Sequence, residues 1–115
     1  MIKVYGIKTC GSVRKALKYF KDRNIEVEYI DFRQSPVGEE VIDHWLKSVD
    51  ITKLFNAKGT KYRTLELKAL NLDDVRKREW LIKENMLLKR PVIEVDAKQT
   101  IVAFDEEHYN TLFKG

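Results

Sequence analysis

The sequence predicts a single α/β domain, residues 1–115, built on a four-stranded mixed sheet with a helical insertion. Three observations carry that expectation. The chain opens in strand, helix, strand order between Ile2 and Phe32; it closes with two short β-branched runs around a tight turn and an amphipathic helix; and the stretch from about Gln34 to Leu87 is dominated by helical patterns.

Each element has its own warrant. Ile2-Lys3-Val4-Tyr5 reads as a strand that breaks at Gly6. Val13, Ala16, Leu17 and Phe20 then recur at helical spacing, and the helix is expected to stop near Arg23-Asn24, because Asn tolerates the left-handed conformation of such a stop. Val27, Tyr29 and Ile30, alternating with Glu26 and Glu28, give a short strand closing on Asp31-Phe32. Parallel strands joined in this way require a right-handed crossover with the helix against one sheet face. Ser35-Pro36-Val37-Gly38 punctuates the start of a second helix, with Val41, Ile42, Trp45, Leu46 and Val49 as its buried stripe. Ile51 to Leu67 reads as loose. A further helix is expected from about Asp73 to Asn85, anchored by Val75, Trp80 and Leu81. Pro91 biases Arg90 away from helical geometry, leaving Val92-Ile93-Glu94-Val95 free to be a strand. The short turn Asp96 to Gln99 into Thr100-Ile101-Val102-Ala103-Phe104 implies an antiparallel hairpin. Asp105 caps the last helix, with Glu106 and Glu107 in its first turn and Tyr109, Leu112 and Phe113 facing inward.

Composition limits the functions open to the chain. With 115 residues, 43% of them apolar, there is enough for one modest core. The 22 Lys and Arg against 18 Asp and Glu leave +4, spread along the chain, which does not read as a nucleic-acid-binding tail. Lys58, Lys61, Arg63, Lys68, Arg76, Lys77 and Arg78 gather centrally, as a solvated face or a patch for an acidic partner. No run of about 18 apolar residues and no signal-peptide order occurs, so no membrane association and a cytoplasmic location are expected. His44 and His108 are isolated from Cys10, no glycine-rich phosphate loop is present, and Trp45 and Trp80 sit at helical core positions. Metal, nucleotide and direct nucleic-acid sites are therefore not expected.

Cys10 is the chemically distinctive residue. It is the only cysteine, and it falls where the first strand gives way to the first helix, in Lys8-Thr9-Cys10-Gly11-Ser12-Val13-Arg14. Free N–H groups and the positive end of the helix dipole favour a thiolate there, and helix N-termini with nearby cations can lower a cysteine from about 8.5 to roughly 3.5–7.5. The bland reading is a small buried hydrophobe. Ser12 and Val13 are the expected N–H donors, and Gly11 allows an anion close to the backbone. Arg14 lies one helical turn beyond, and Arg90 opens a strand expected beside the first one, near Cys10. Pro91 offers no ladder donor, and a trans proline opening an edge strand is the plain alternative to a cis one. One cysteine cannot form an intramolecular disulfide, so any redox cycle needs an outside thiol.

The element order, with a thiol after the first strand and a proline before the third, resembles the thioredoxin/glutaredoxin layout. Tyr5-Gly6, Cys10-Gly11-Ser12 with Arg14, Leu54-Phe55-Asn56 with Gly59 and Tyr62-Arg63, and Leu88-Lys89-Arg90-Pro91 together resemble the glutaredoxin-linked arsenate reductase family (ArsC) and its Spx, MgsR and YffB-like relatives. The resemblance implies that Cys10 is a nucleophile, that Arg90 binds the oxyanion and that Pro91 is cis; with the reading of the helix start, Gly11, Ser12, Arg14, Arg90 and Pro91 are the expected substrate contacts. Of the reductases' three arginines only Arg90 is matched; Asn56 and Phe104 stand at the other two positions. Val13 replaces the second cysteine of the Spx motif. The expected function is a thiol-dependent reductase acting on an oxyanion or thiol adduct, with no bound cofactor and with glutathione or glutaredoxin as thiol donor. The alternative is an Spx-like regulator that binds the RNA polymerase α subunit.

Overall fold

The structure is a computed structural model, and it describes residues 1–113. Four strands, β1 (Ile2–Gly6), β2 (Val27–Asp31), β3 (Val92–Val95) and β4 (Gln99–Val102), form one sheet in the order β2-β1-β3-β4. β1 pairs parallel with β2 and antiparallel with β3, and β3 pairs antiparallel with β4. This is a thioredoxin/glutaredoxin-like α/β fold, as the strand, helix and hairpin order anticipates.

Helix α1 (Gly11–Asp22) makes the crossover between β1 and β2, and α6 (Glu106–Phe113) follows the hairpin. Between β2 and β3 lie α2 (Glu39–Leu46), α3 (Ile51–Leu54), α4 (Thr60–Thr64) and α5 (Asp74–Lys83), with 3₁₀ turns at Leu67–Leu70 and Asn85–Leu87. Because strand side chains alternate, the sheet feeds two cores. Val4, Ile93 and Ile101 face Ala16, Tyr19 and Phe20 of α1 and Tyr109 and Phe113 of α6. Tyr5 and Val92 face the opposite way, onto Phe32, Trp45, Leu54, Leu81 and Leu87 of the insertion.

Local signals explain the ends of the elements. Asn24 has φ 56° just past α1, the left-handed stop expected of it. Asp73 accepts a hydrogen bond from Arg76 N–H at 2.9 Å at the start of α5, and Asp105 accepts one from His108 N–H at 3.2 Å at the start of α6. Asp96 and Ala97 both have positive φ, 53° and 57°, which gives the hairpin turn a twist that suits its strands.

Three expectations are corrected. The stretch from Ile51 is not loose: Asp50 caps α3 by accepting from Thr52 N–H at 2.9 Å, and α4 follows. Helices this short span too few residues to show a period. Val75 does not anchor α5; it is 67% exposed, because six residues at about 100° each turn it away from the buried Leu81. Leu112 is 37% exposed, while Tyr109 and Phe113 are buried.

Candidate functional site

The site is built where β1 ends. Gly6 closes the strand with its Cα against α1: a Cβ there would lie 2.5 Å from Val13 Cγ2. Any larger residue would push the start of α1 off the sheet. Ile7 then turns the chain, its carbonyl accepting from Cys10 N–H at 3.2 Å, and Cys10 takes the N-cap position of α1 in extended geometry. Arg14 N–H donates to the Cys10 carbonyl at 3.1 Å, which fixes the first helical turn under the thiol.

The Cys10 thiol is partly exposed. Its partial burial opposes ionisation, but hydrogen bonds from the Val13 and Ser12 N–H groups, with the donor and charge of the Arg90 guanidinium, outweigh it and hold the pKa below the ordinary thiol value. The Val13 and Ser12 donors are those the sequence indicates. Beside them the chain is open at Gly11: beyond its chain neighbours and its own helix backbone, no atom lies within 4 Å of where a Cβ would be.

Arg90 reaches the thiol from the neighbouring strand. Tyr5 is in register with Val92, so the residues preceding β3 lie beside the turn that follows β1. Arg90 Nη1 donates to the carbonyls of Met86 at 2.8 Å and Leu88 at 3.4 Å, which anchors the guanidinium. Its Nε–H is buried and has no partner in hydrogen-bonding geometry. The guanidinium's remaining influence falls on the Cys10 thiolate, which it favours by donor and by charge. The Arg90–Pro91 peptide is cis.

Arg14 stands apart. It is exposed on α1, is absent from the groups that shift the thiol, and makes no side-chain hydrogen bond or ion pair among the described residues. Asn56 and Phe104 also differ in setting. Asn56 N–H donates to the Leu87 carbonyl at 2.8 Å, close in sequence to Arg90, whereas Phe104 packs against Tyr19 and Tyr109 in the α1/α6 core.

Sequence reading passes over Tyr29 and Asp31. They sit two apart on β2, so they share a face, and Asp31 is in register with Gly6 at the sheet end where the thiol lies. Tyr29 Oη donates to Asp31 Oδ2 at 3.4 Å. Burial first, then the Asp31 carboxylate, and also charge on Cys10, raise the Tyr29 phenol. The signal that could have found them was the parallel pairing itself, which brings the ends of β1 and β2 together.

Part of the central cationic stretch is engaged within the fold. Arg78 pairs with Asp43 and Glu39, Lys61 with Glu84, and Lys77 lies over the Phe55 ring. A groove of about 650 Å³ opens on the insertion, lined by Ala57, Tyr62, Arg63, Glu66, Lys68 and Ala69, none of them at the thiol. Among the described residues no group of His, Cys, Asp and Glu is placed to hold a metal, and no helix is long and apolar enough to cross a membrane.

The fold and the thiol turn define a thioredoxin-like domain with one cysteine at the start of its first helix. Residues 5–112 match the ArsC family, and the chain belongs to that family. An uncharacterized protein of Haemophilus influenzae is 34% identical over 114 residues, 98% of this chain and 99% of the relative. The solution structure of an arsenate reductase (ArsC) related protein from Brucella melitensis is 32% identical, with TM-score 0.75 over 99% of this chain and 95% of that one. A solved structure named YFFB is 25% identical, with TM-score 0.87 over 96% of this chain and 97% of that one.

Proposed function

We propose that this protein is a monothiol reductase of the YffB-like branch of the family, with Cys10 as nucleophile and a thiol adduct as substrate. The observation that carries the reading is the arrangement at Cys10: a partly exposed thiol at the N-cap of α1, with two N–H groups and the Arg90 guanidinium favouring the thiolate. The likeness to YFFB supports the branch.

The Cys10 thiolate attacks the glutathione sulfur of a mixed disulfide R–S–SG. A Cys10–SG bond forms as the substrate S–S bond breaks, and RS⁻ leaves with the electron pair and takes a proton from solvent. A second glutathione thiolate, or a glutaredoxin thiol in its place, attacks the Cys10-bound sulfur and releases the Cys10 thiolate. The sum is RSSG and GSH giving RSH and GSSG, and because the chain has one cysteine the last step needs the outside thiol. Gly11 and Ser12 supply open backbone at the thiol, Pro91 the adjoining wall, and Arg90 the charge opposite the leaving sulfur. Arg14 sits one turn along α1, within reach of a bound substrate's periphery. An inorganic oxyanion would take the same donors, but Asn56 and Phe104 supply no further cations, which favours the thiol adduct.

No bound cofactor is required. A cytoplasmic location fits a donor thiol kept reduced. We favour this reading over polymerase docking because Arg78, Lys61 and Lys77 of the cationic stretch are occupied within the fold.

The test follows reduction of a glutathionylated peptide by glutathione, with arsenate as a second arm. Turnover of the peptide, abolished in Cys10→Ser and lowered at least about tenfold in Arg90→Gln, is expected. Turnover of arsenate alone would replace the adduct by the oxyanion. Turnover of neither, with Cys10 alkylating at the pH of a free thiol, would overturn the enzyme reading.

A further inference from the structure

The corner between β4 and α6 holds a strained residue. Ala103 has φ 69°, a left-handed conformation that costs a residue with a Cβ about 1–2 kcal/mol. Such a residue persists only where its surroundings over-determine it. Here they do so from three sides. Ala103 N–H donates to the Pro91 carbonyl at 2.8 Å. The Ala103 carbonyl accepts from the Tyr109 hydroxyl at 2.7 Å. The next residue, Phe104, sets its ring edge-on to both Tyr19 and Tyr109.

Tyr109 is itself held rigidly. It is buried, and its ring is flanked by Tyr19, Phe20 and Phe113. Its hydroxyl therefore meets Ala103 from a fixed direction. On the other side, Ala103 grips the carbonyl of the residue directly after Arg90, and the Arg90 guanidinium is anchored to the Met86 and Leu88 carbonyls of its own loop. The path from the α6 core to the thiol is thus short: the Tyr109 hydroxyl on the Ala103 carbonyl, the Ala103 N–H on the Pro91 carbonyl, and the Arg90 side chain beside Cys10.

We propose that Tyr109 is a positioning residue: by holding Ala103 in its left-handed conformation, its hydroxyl sets the Arg90–Pro91 segment against Cys10. The inference rests on the reading that Arg90 governs the reactivity of Cys10.

The experiment measures the rate of Cys10 alkylation by iodoacetamide against pH, with thermal unfolding in parallel. The proteins are the wild type, Tyr109→Phe, Tyr19→Phe, Ala103→Gly and the double variant Tyr109→Phe/Ala103→Gly. Tyr109→Phe is expected to slow alkylation on the acid side of the profile by about threefold or more, the change produced by partial loss of thiolate. Tyr19→Phe removes a hydroxyl from the same aromatic cluster, one bonded to Asn110 at 2.7 Å, and is expected to lower thermal stability while leaving the profile in place. Glycine adopts the left-handed conformation unaided, so the double variant is expected to overlay Ala103→Gly, a non-additivity that marks the two residues as one device. If Tyr109→Phe does not fold, the comparison of the double variant with Ala103→Gly still decides, and a slower double variant overturns the idea. It is also overturned if Tyr109→Phe lowers stability with an unmoved profile, or if Tyr19→Phe moves it equally. A wild-type profile like that of a free thiol would instead sink the enzymatic reading beneath it.

Discussion

The two faces of the sheet are held by different means. On the α1/α6 face, Tyr19, Phe20, Phe104, Tyr109 and Phe113 pack ring against ring, with centroids 5.0 Å apart between Phe20 and Phe113 and 5.3 Å between Tyr19 and Tyr109. On the insertion face, buried polar groups supplement the apolar contacts. Trp45 Nε1 donates to Glu94 Oε2 at 2.6 Å, and Tyr5 Oη reaches Glu94 Oε1 at 3.4 Å. Burial, then the Glu94 charge, lift the Tyr5 phenol to about 12. Asn85 accepts from Val37 N–H at 2.7 Å and donates to the carbonyls of Val37 and Leu81. The difference follows from connection. α1 and α6 are each joined to a strand by a short turn that fixes their direction, whereas the insertion is a string of short helices with little to orient it, and directional bonds supply what close tethering does not.

Breaking either face tests this contrast. The largest effect is expected from Phe20→Ala, which empties the centre of the aromatic face and should cost about 3–5 kcal/mol in urea unfolding, near the limit for a domain of this size. Glu94→Ala should come next, at about 2–3 kcal/mol, because it strands the Trp45 and Tyr5 donors. Glu94→Gln, which keeps an acceptor, should recover most of that loss, and Trp fluorescence would show Trp45 returning to its buried environment. Equal losses for Ala and Gln would mean that packing alone holds the insertion.

Gly6→Ala lies where the two faces meet the site. The added Cβ would overlap Val13, so a loss of about 1–3 kcal/mol is expected, together with slower alkylation of Cys10 as the first turn of α1 moves. Unchanged alkylation would separate the thiol's activation from the seating of the helix.

The smallest effect concerns pH. The folded pKa of Cys10 lies below its ordinary value, so the unfolded chain binds more protons between the two values. The stabilisation is full above the unfolded value of about 8.5 and is lost as pH falls through the folded one. The stability of the wild type relative to Cys10→Ser should therefore rise with pH across that window. A flat difference would place the thiol in an ordinary environment.

Legibility in the sequence follows the same division. β1, α1, the hairpin, the stop at Asn24 and the cap at Asp105 were readable because each is set by residues a few positions apart, and the Cys10 turn belongs to that class. Ser12 and Val13 could be named as donors for the same reason. α3 and α4 were not readable, being shorter than any period, and Val75 and Leu112 were misplaced because an apolar residue at the edge of a stripe does not say which side of it is wet. The pairing of Trp45 with Glu94, 49 residues apart, leaves no local mark, and neither does the approach of Tyr29 and Asp31 to the thiol.

β1 stands in the middle of the sheet, yet it is made well before half of its pairing exists. Its partner β3 comes so late that Tyr5 and Glu94 are 89 residues apart. During synthesis the chain therefore carries Cys10 long before Arg90 exists to sit beside it, and a contact of such span is slow to close. The nascent chain thus holds the thiol without the Arg90 guanidinium until the segment before β3 has been made, and that share of the thiolate's stabilisation arrives only as the sheet closes.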